Sequence, residues 1–174
     1  GHALLGLKVI SRSGVLCGLT SRERNVSRRS IGNHNKYRIP DAEKAEAVLF
    51  SKLIRDADKL DILGVVAEHF EKRDQHPNRA LDFGLTDELQ LTQEVVSEIL
   101  QETMVKIDGL RTLGDMRLLY LSWIFDINFP ITFAAIKEKG YLERLLADLS
   151  AQPDAVRIGD FLQAYLEKRR LMPD

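Results

Sequence analysis

The sequence predicts an all-α protein. Apolar residues recur at helical spacing in almost every segment, helix caps and stops stand where that period begins and ends, and no segment of consequence alternates apolar with polar residues. Residues 2–13 are apolar at Leu4, Leu5, Leu7, Val9 and Ile10, and Gly14 follows as a stop. Thr20 and Glu23 have the spacing of a capping box for a helix over about 22–34. Ile39-Pro40 closes the next loop, and Asp41 is placed to cap a long helix over 42–72. That helix is apolar nearly all round between Ala45 and Val66, which predicts a central position.

Residues 74–91 keep no sustained period and read as a loop, long enough to be a functional flap. Thr92 is the expected cap of a helix reaching about Thr103. A further helix is expected over 113–128, with Leu118, Leu121, Ile124 and Phe125 inward. Pro130 reads as an interruption, after which Thr132–Lys139 continues to Gly140. Tyr141–Ser150 and Asp154–Arg170 are two more amphipathic helices, the last with an inward stripe of Leu162, Tyr165 and Leu166. The expected organisation is one domain over 1–174, with a core over 1–72, a loop over 73–91 and C-terminal helices over 92–174.

At 174 residues the chain can bury roughly 70% of its unfolded surface, so a real core is possible. With 44% apolar and 29% charged residues it falls in the soluble globular class. Its longest apolar run, Leu118 to Phe125, is too short to span a bilayer, so no membrane partner is expected. The single cysteine, Cys17, excludes an internal disulfide framework and fits a reducing, cytoplasmic setting. No CxxC partner accompanies it, so it reads as buried filler. The chain opens Gly1-His2-Ala3 without Met, which suggests a fragment, a processed chain or a tag remnant in Gly-His. Oligomeric state is open, a homodimer included.

Net charge is −1, but residues 1–40 hold eight basic residues against one acid, Glu23. Such a cluster is either a solvated helix face or a positive rim for a phosphorylated ligand. Little aromatic interleaving and a near-zero total charge disfavour nucleic acid.

The chemically richest stretch is Arg55-Asp56-Ala57-Asp58-Lys59-Leu60-Asp61, inside the apolar helix. On a wheel of about 100° per residue, Asp58 falls between Ile54 and Ile62, with Val65 close by. A carboxylate there needs a positive partner, either Arg55 on the same side or a divalent metal. Asp56, Asp58 and Asp61 could instead form intrahelical pairs with Lys52, Lys59 and Arg55. His34, in Asn33-His34-Asn35, ends a helix, where a histidine meets the helix dipole or ligates a metal. His69 reads as a surface or packing residue, His76 as loop decoration, and Asp126 as the structural partner of Arg117 or another base. No Gly-rich phosphate loop and no GxSxG elbow occur.

Leu53 to Asp61 resembles the last conserved segment of the HD-domain metal-dependent phosphohydrolases. Ile31-Gly32-Asn33-His34-Asn35, followed by Ile39-Pro40, resembles the segment before it, and Gly1-His2-Ala3-Leu4-Leu5-Gly6 an earlier histidine-bearing helix start. Order and spacing agree across residues 1–66. The resemblance implies an HD-like helical bundle with a C-terminal helical extension, hydrolysing a small phosphorylated metabolite or nucleotide. It implies a divalent metal (Mn, Mg, Fe, Ni or Zn) held by Asp58, with His34 and His2 as further metal ligands. Lys59 and Arg38 would approach the substrate phosphate, and Lys59 and His34 would take part in the chemistry. The His-Asp doublet that names the family is absent: no His-Asp dipeptide occurs in these 174 residues. The rival expectation is therefore a non-catalytic HD-like module that binds a nucleotide or a partner protein.

Overall fold

The computed structural model describes residues 2–76 and 78–171, and of His2, Arg79 and Ala80 the backbone alone. The fold is all-α. Among the described residues no strand forms, only an isolated parallel bridge between Thr86 and Thr112. None of their helices is long and apolar enough to cross a membrane. The chain forms two compact units, Gly1–Asp58 and Lys59–Asp174.

The first unit contains α1 (His2–Ser13), α2 (Ser21–Asn33) and the first half of α3 (Ala45–Lys72). Gly14 stops α1 at a positive φ of 67°, a conformation glycine adopts without a Cβ penalty. The capping box of α2 is formed: the Thr20 hydroxyl accepts from the Glu23 amide, and the Glu23 carboxylate accepts from the Thr20 amide at 2.7 Å. Asp41 does not cap α3. It lies in a turn, and the helix begins at Ala45, with the Lys44 carbonyl accepting its first bond from Val48. Cys17 is exposed, not buried, because the turn between α1 and α2 lies at the surface.

The second unit begins within α3 and adds α4 (Arg79–Asp82), α5 (Gln93–Leu100), α6 (Leu113–Ser122), α7 (Pro130–Glu138), α8 (Tyr141–Leu146) and α9 (Pro153–Arg170). Its core runs from Leu63 through Ile99, Leu121, Ile124 and Phe133 to Leu162 and Leu166. The helix expected over 113–128 ends at Ser122, and Trp123–Asp126 tightens into a 3-10 turn. Pro130 starts α7 rather than interrupting it. It occupies the first helical turn, where its missing N–H has no partner to lose.

The Thr92 side chain does not cap α5. Its hydroxyl donates to Asp115 at 2.6 Å and its amide to the same carboxylate at 2.8 Å. Asp115 is fully buried and also accepts from the Arg111 amide at 3.0 Å. These bonds tie the end of the 74–91 segment to the start of α6. Gly114 permits that approach, since a Cβ there would lie 2.3 Å from the Leu89 carbonyl oxygen.

Candidate functional site

The candidate site residues of the first unit lie where α2 ends and α3 passes. The centre of that junction is Arg55. Its guanidinium donates to the carbonyls of Lys36 at 2.6 Å, His34 at 3.1 Å, Asn33 at 3.3 Å and Tyr37 at 3.5 Å. Carbonyls at a helix C-terminus lack intrahelical donors and carry the negative end of the helix dipole. A buried cation answers both needs, and Arg55 is 3% exposed. The Ile31–Asn35 and Arg55–Asp61 segments are thereby held together by direct hydrogen bonds.

Asn33, also buried, extends the junction. Its amide donates to Glu43 at 3.1 Å and its oxygen accepts from the Lys36 ammonium at 2.8 Å. Arg29 donates to the same Glu43 carboxylate at 2.9 Å. The Asn33 hydrogen bond, then that of Arg29, holds the Glu43 carboxyl below its ordinary value.

His34 is half-buried, and its Nδ1 lies 2.7 Å from the Ile31 carbonyl oxygen. A carbonyl only accepts, so Nδ1 donates and the neutral ring carries its lone pair on Nε2. Metal-binding histidines are commonly oriented in this way. Asp58 is half-buried, and Arg38 is exposed on the loop after α2. The side chain of His2 lies outside the described residues.

The carboxylate expected in the interior at Asp58 is replaced there by Asp56, 3% exposed, while Val65 is 49% exposed. Buried positions on α3 include Ala47, Ser51, Arg55, Asp56, Lys59, Leu63, Val66, Ala67, His69 and Phe70.

In the second unit the Lys59 ammonium meets Asp126 at 2.6 Å, with the lysine side chain 9% exposed. Arg117 pairs instead with Asp148 at 2.7 Å and lies over the Phe70 ring at 4.5 Å from its centre. The structural pair expected of Asp126 with Arg117 or another base is thus formed with Lys59. His69 is buried, and its Nε2–H donates to Asp82 at 2.8 Å. Arg73 donates to the other oxygen of Asp82 at 3.2 Å and to Asp87 at 2.5 Å. Burial alone would raise the Asp82 carboxyl. The hydrogen bonds from His69 and Arg73, with the charge of both, outweigh it and hold it below its ordinary value. This cluster fixes α4 and escaped the sequence reading. Its only trace there is a polar His69 beside Ala67 and Phe70.

Among the described residues, no group of three or more His, Cys, Asp or Glu side chains is arranged to hold a metal ion. His34 and Asp58 are each donors of suitable chemistry for a divalent metal. No protein-family model matches the chain, and no curated protein or solved structure matches it either.

Proposed function

We propose that the chain supplies part of a metal-dependent phosphohydrolase site of the HD-domain kind, acting on a small phosphorylated metabolite or nucleotide. The observation that carries this reading is the Arg55 clamp. It joins two of the three segments on which the resemblance rests, with His34 on one and Asp58 on the other. His34, through Nε2, and the Asp58 carboxylate would hold the divalent metal. Its remaining ligands, with the His-Asp doublet, would come from polypeptide outside these 174 residues. A bound metal would supply an acidic water and polarise a phosphoryl oxygen. This chain's own part is to fix the His34 tautomer through the Ile31 carbonyl and to seat Asp58 on α3. Arg38, exposed on its loop, would attract the phosphate.

The second reading is the non-catalytic module, and a specific observation favours it. The cation expected at the phosphate, Lys59, is buried against Asp126 and would have to leave that pair to reach a ligand. One experiment separates the two. The full-length natural polypeptide is purified, its divalent metal measured, and phosphate release from nucleoside monophosphates and sugar phosphates followed with added Mn²⁺. The hydrolase reading expects bound metal and turnover that Asp58→Ala abolishes and the exposed Asp61→Ala keeps. Unchanged turnover in Asp58→Ala, or ligand binding without turnover or metal, overturns it in favour of the module.

A further inference from the structure

We infer that the groove between α1 and α2 docks an amphipathic helix whose apolar stripe is flanked by acidic residues. Two cavities of about 300 and 390 Å³ lie along the groove and share Ser11 and Arg28. Their apolar lining comes from Leu4, Leu7, Ile10 and Leu16. Their charged lining is Lys8, Arg12, Arg24 and Arg28, and no carboxylate lines either. An apolar surface edged by charge of one sign is matched by a ligand with an apolar stripe and the opposite charge beside it.

Two of these cations are already fixed in place. Arg28 donates to the Ser11 hydroxyl at 2.9 Å, and Arg24 donates to the Leu19 carbonyl at 2.5 Å. Neither bond neutralises charge. Lys8 and Arg12 are exposed and form no ion pair among the described residues. Of the apolar lining, Leu4 is 64% exposed and Leu7, Ile10 and Leu16 are half-buried. The twelve residues of α1 extend about 18 Å, room for some three turns of a bound helix. A second copy offering the same face would bring two strongly basic surfaces together, which like-charge repulsion opposes.

Cys17 is the only cysteine of the chain, is exposed and lines the groove, so its alkylation rate reports occupancy directly. The probe is a synthetic helical peptide with leucines at i, i+3, i+4 and i+7 flanked by glutamates. Its controls are the same peptide with lysines for glutamates and a sequence-scrambled isomer. The acidic peptide is expected to slow Cys17 alkylation several-fold, with the controls inert and the effect fading as salt is raised. Arg12→Glu is expected to weaken the peptide about tenfold, an effect of some 1.4 kcal/mol. Arg12 is exposed, so that variant folds, and circular dichroism verifies it. Protection equal for the lysine or scrambled peptide overturns the inference. So does protection by inorganic phosphate or by anionic lipid vesicles alone, and so does no protection at all. None of these outcomes depends on metal or turnover, so the inference and the hydrolase reading fail independently.

Discussion

The two units keep their shape by different means. In Lys59–Asp174 the buried side chains are mainly large and apolar, from Leu63 and Ile99 to Leu162 and Leu166. In Gly1–Asp58 the buried apolar side chains among the described residues are Ala3 and Ala47. Its other buried residues are Ser30, Asn33, Ser51, Arg55 and Asp56, while Leu4, Leu5, Val9, Leu49, Phe50 and Leu53 are exposed. Apolar burial of about 25 cal/mol per Å² is the main driving force of most folds. The first unit uses little of it and relies on directed hydrogen bonds: Arg55 on four carbonyls, Asn33 on Glu43, and Ser30 and Ser51 on the Ala47 carbonyl. The neutral bonds among these contribute about 1 kcal/mol each, and those of the charged Arg55 more. The unit that carries the candidate ligands is therefore the one with the thinner core, and its apolar surface remains available to a partner.

The largest expected effect breaks or upholds this contrast directly. Leu121 is fully buried in the second unit, and Leu121→Ala should cost about 2–5 kcal/mol. Leu5 is 65% exposed in the first, and Leu5→Ala should change stability by no more than about 0.5 kcal/mol. Chemical denaturation of the two variants measures both values. Comparable losses would mean that the leucines of α1 carry burial, and the contrast would dissolve.

Next in size is the clamp. Arg55→Met keeps an apolar stem of similar reach but removes the donors from the carbonyls of Asn33, His34, Lys36 and Tyr37. Hydrogen bonds to a charged group contribute about 1.5–3 kcal/mol each and do not simply add, so a loss of about 3 kcal/mol is expected. It should be local: amides near the end of α2 exchange faster, proteolysis appears within 34–40, and the unfolding of the second unit stays in place. Unchanged cleavage within 34–40 would show that something other than Arg55 holds the segment.

What the sequence disclosed follows the same division. Helix existence was legible because period and caps are local: the Thr20–Glu23 box is formed, and of the inward stripe Leu162 and Leu166 are buried while Tyr165 packs half-buried against the core. Pro130 was misread because one proline either ends or begins a helix, and the choice rests on what precedes it. Partners were illegible wherever they are tertiary. Nothing local pairs Lys59 with Asp126, Arg117 with Asp148, or Thr92 with Asp115, at separations of tens of residues. Of the carboxylates in the stretch, Asp56 is buried and Asp58 half-buried, a difference that a helical wheel does not resolve. Arg55 had one available signal. It continues a four-residue run of Ala47 and Ser51, small residues that let another segment approach closely.

The smallest effect tests whether a polar clamp matters equally where a core already holds. Asp82 in the second unit accepts from His69 and Arg73, and Asp82→Asn removes its charge while nearly keeping its shape. The expected loss at neutral pH is about 2 kcal/mol, below that of Arg55→Met, and confined to protection of the segment around α4. The pH dependence has a definite sign. The Asp82 carboxyl is held below its ordinary value of 3.8 in the folded chain. Its contribution is complete above that value and is lost as pH falls through the depressed one. Acid titration of stability should therefore descend more steeply below 3.8 for the wild type than for Asp82→Asn, and the two curves should converge. Parallel curves would show that the Asp82 charge does not stabilise the folded state. The contrast with the first unit would then be sharper still.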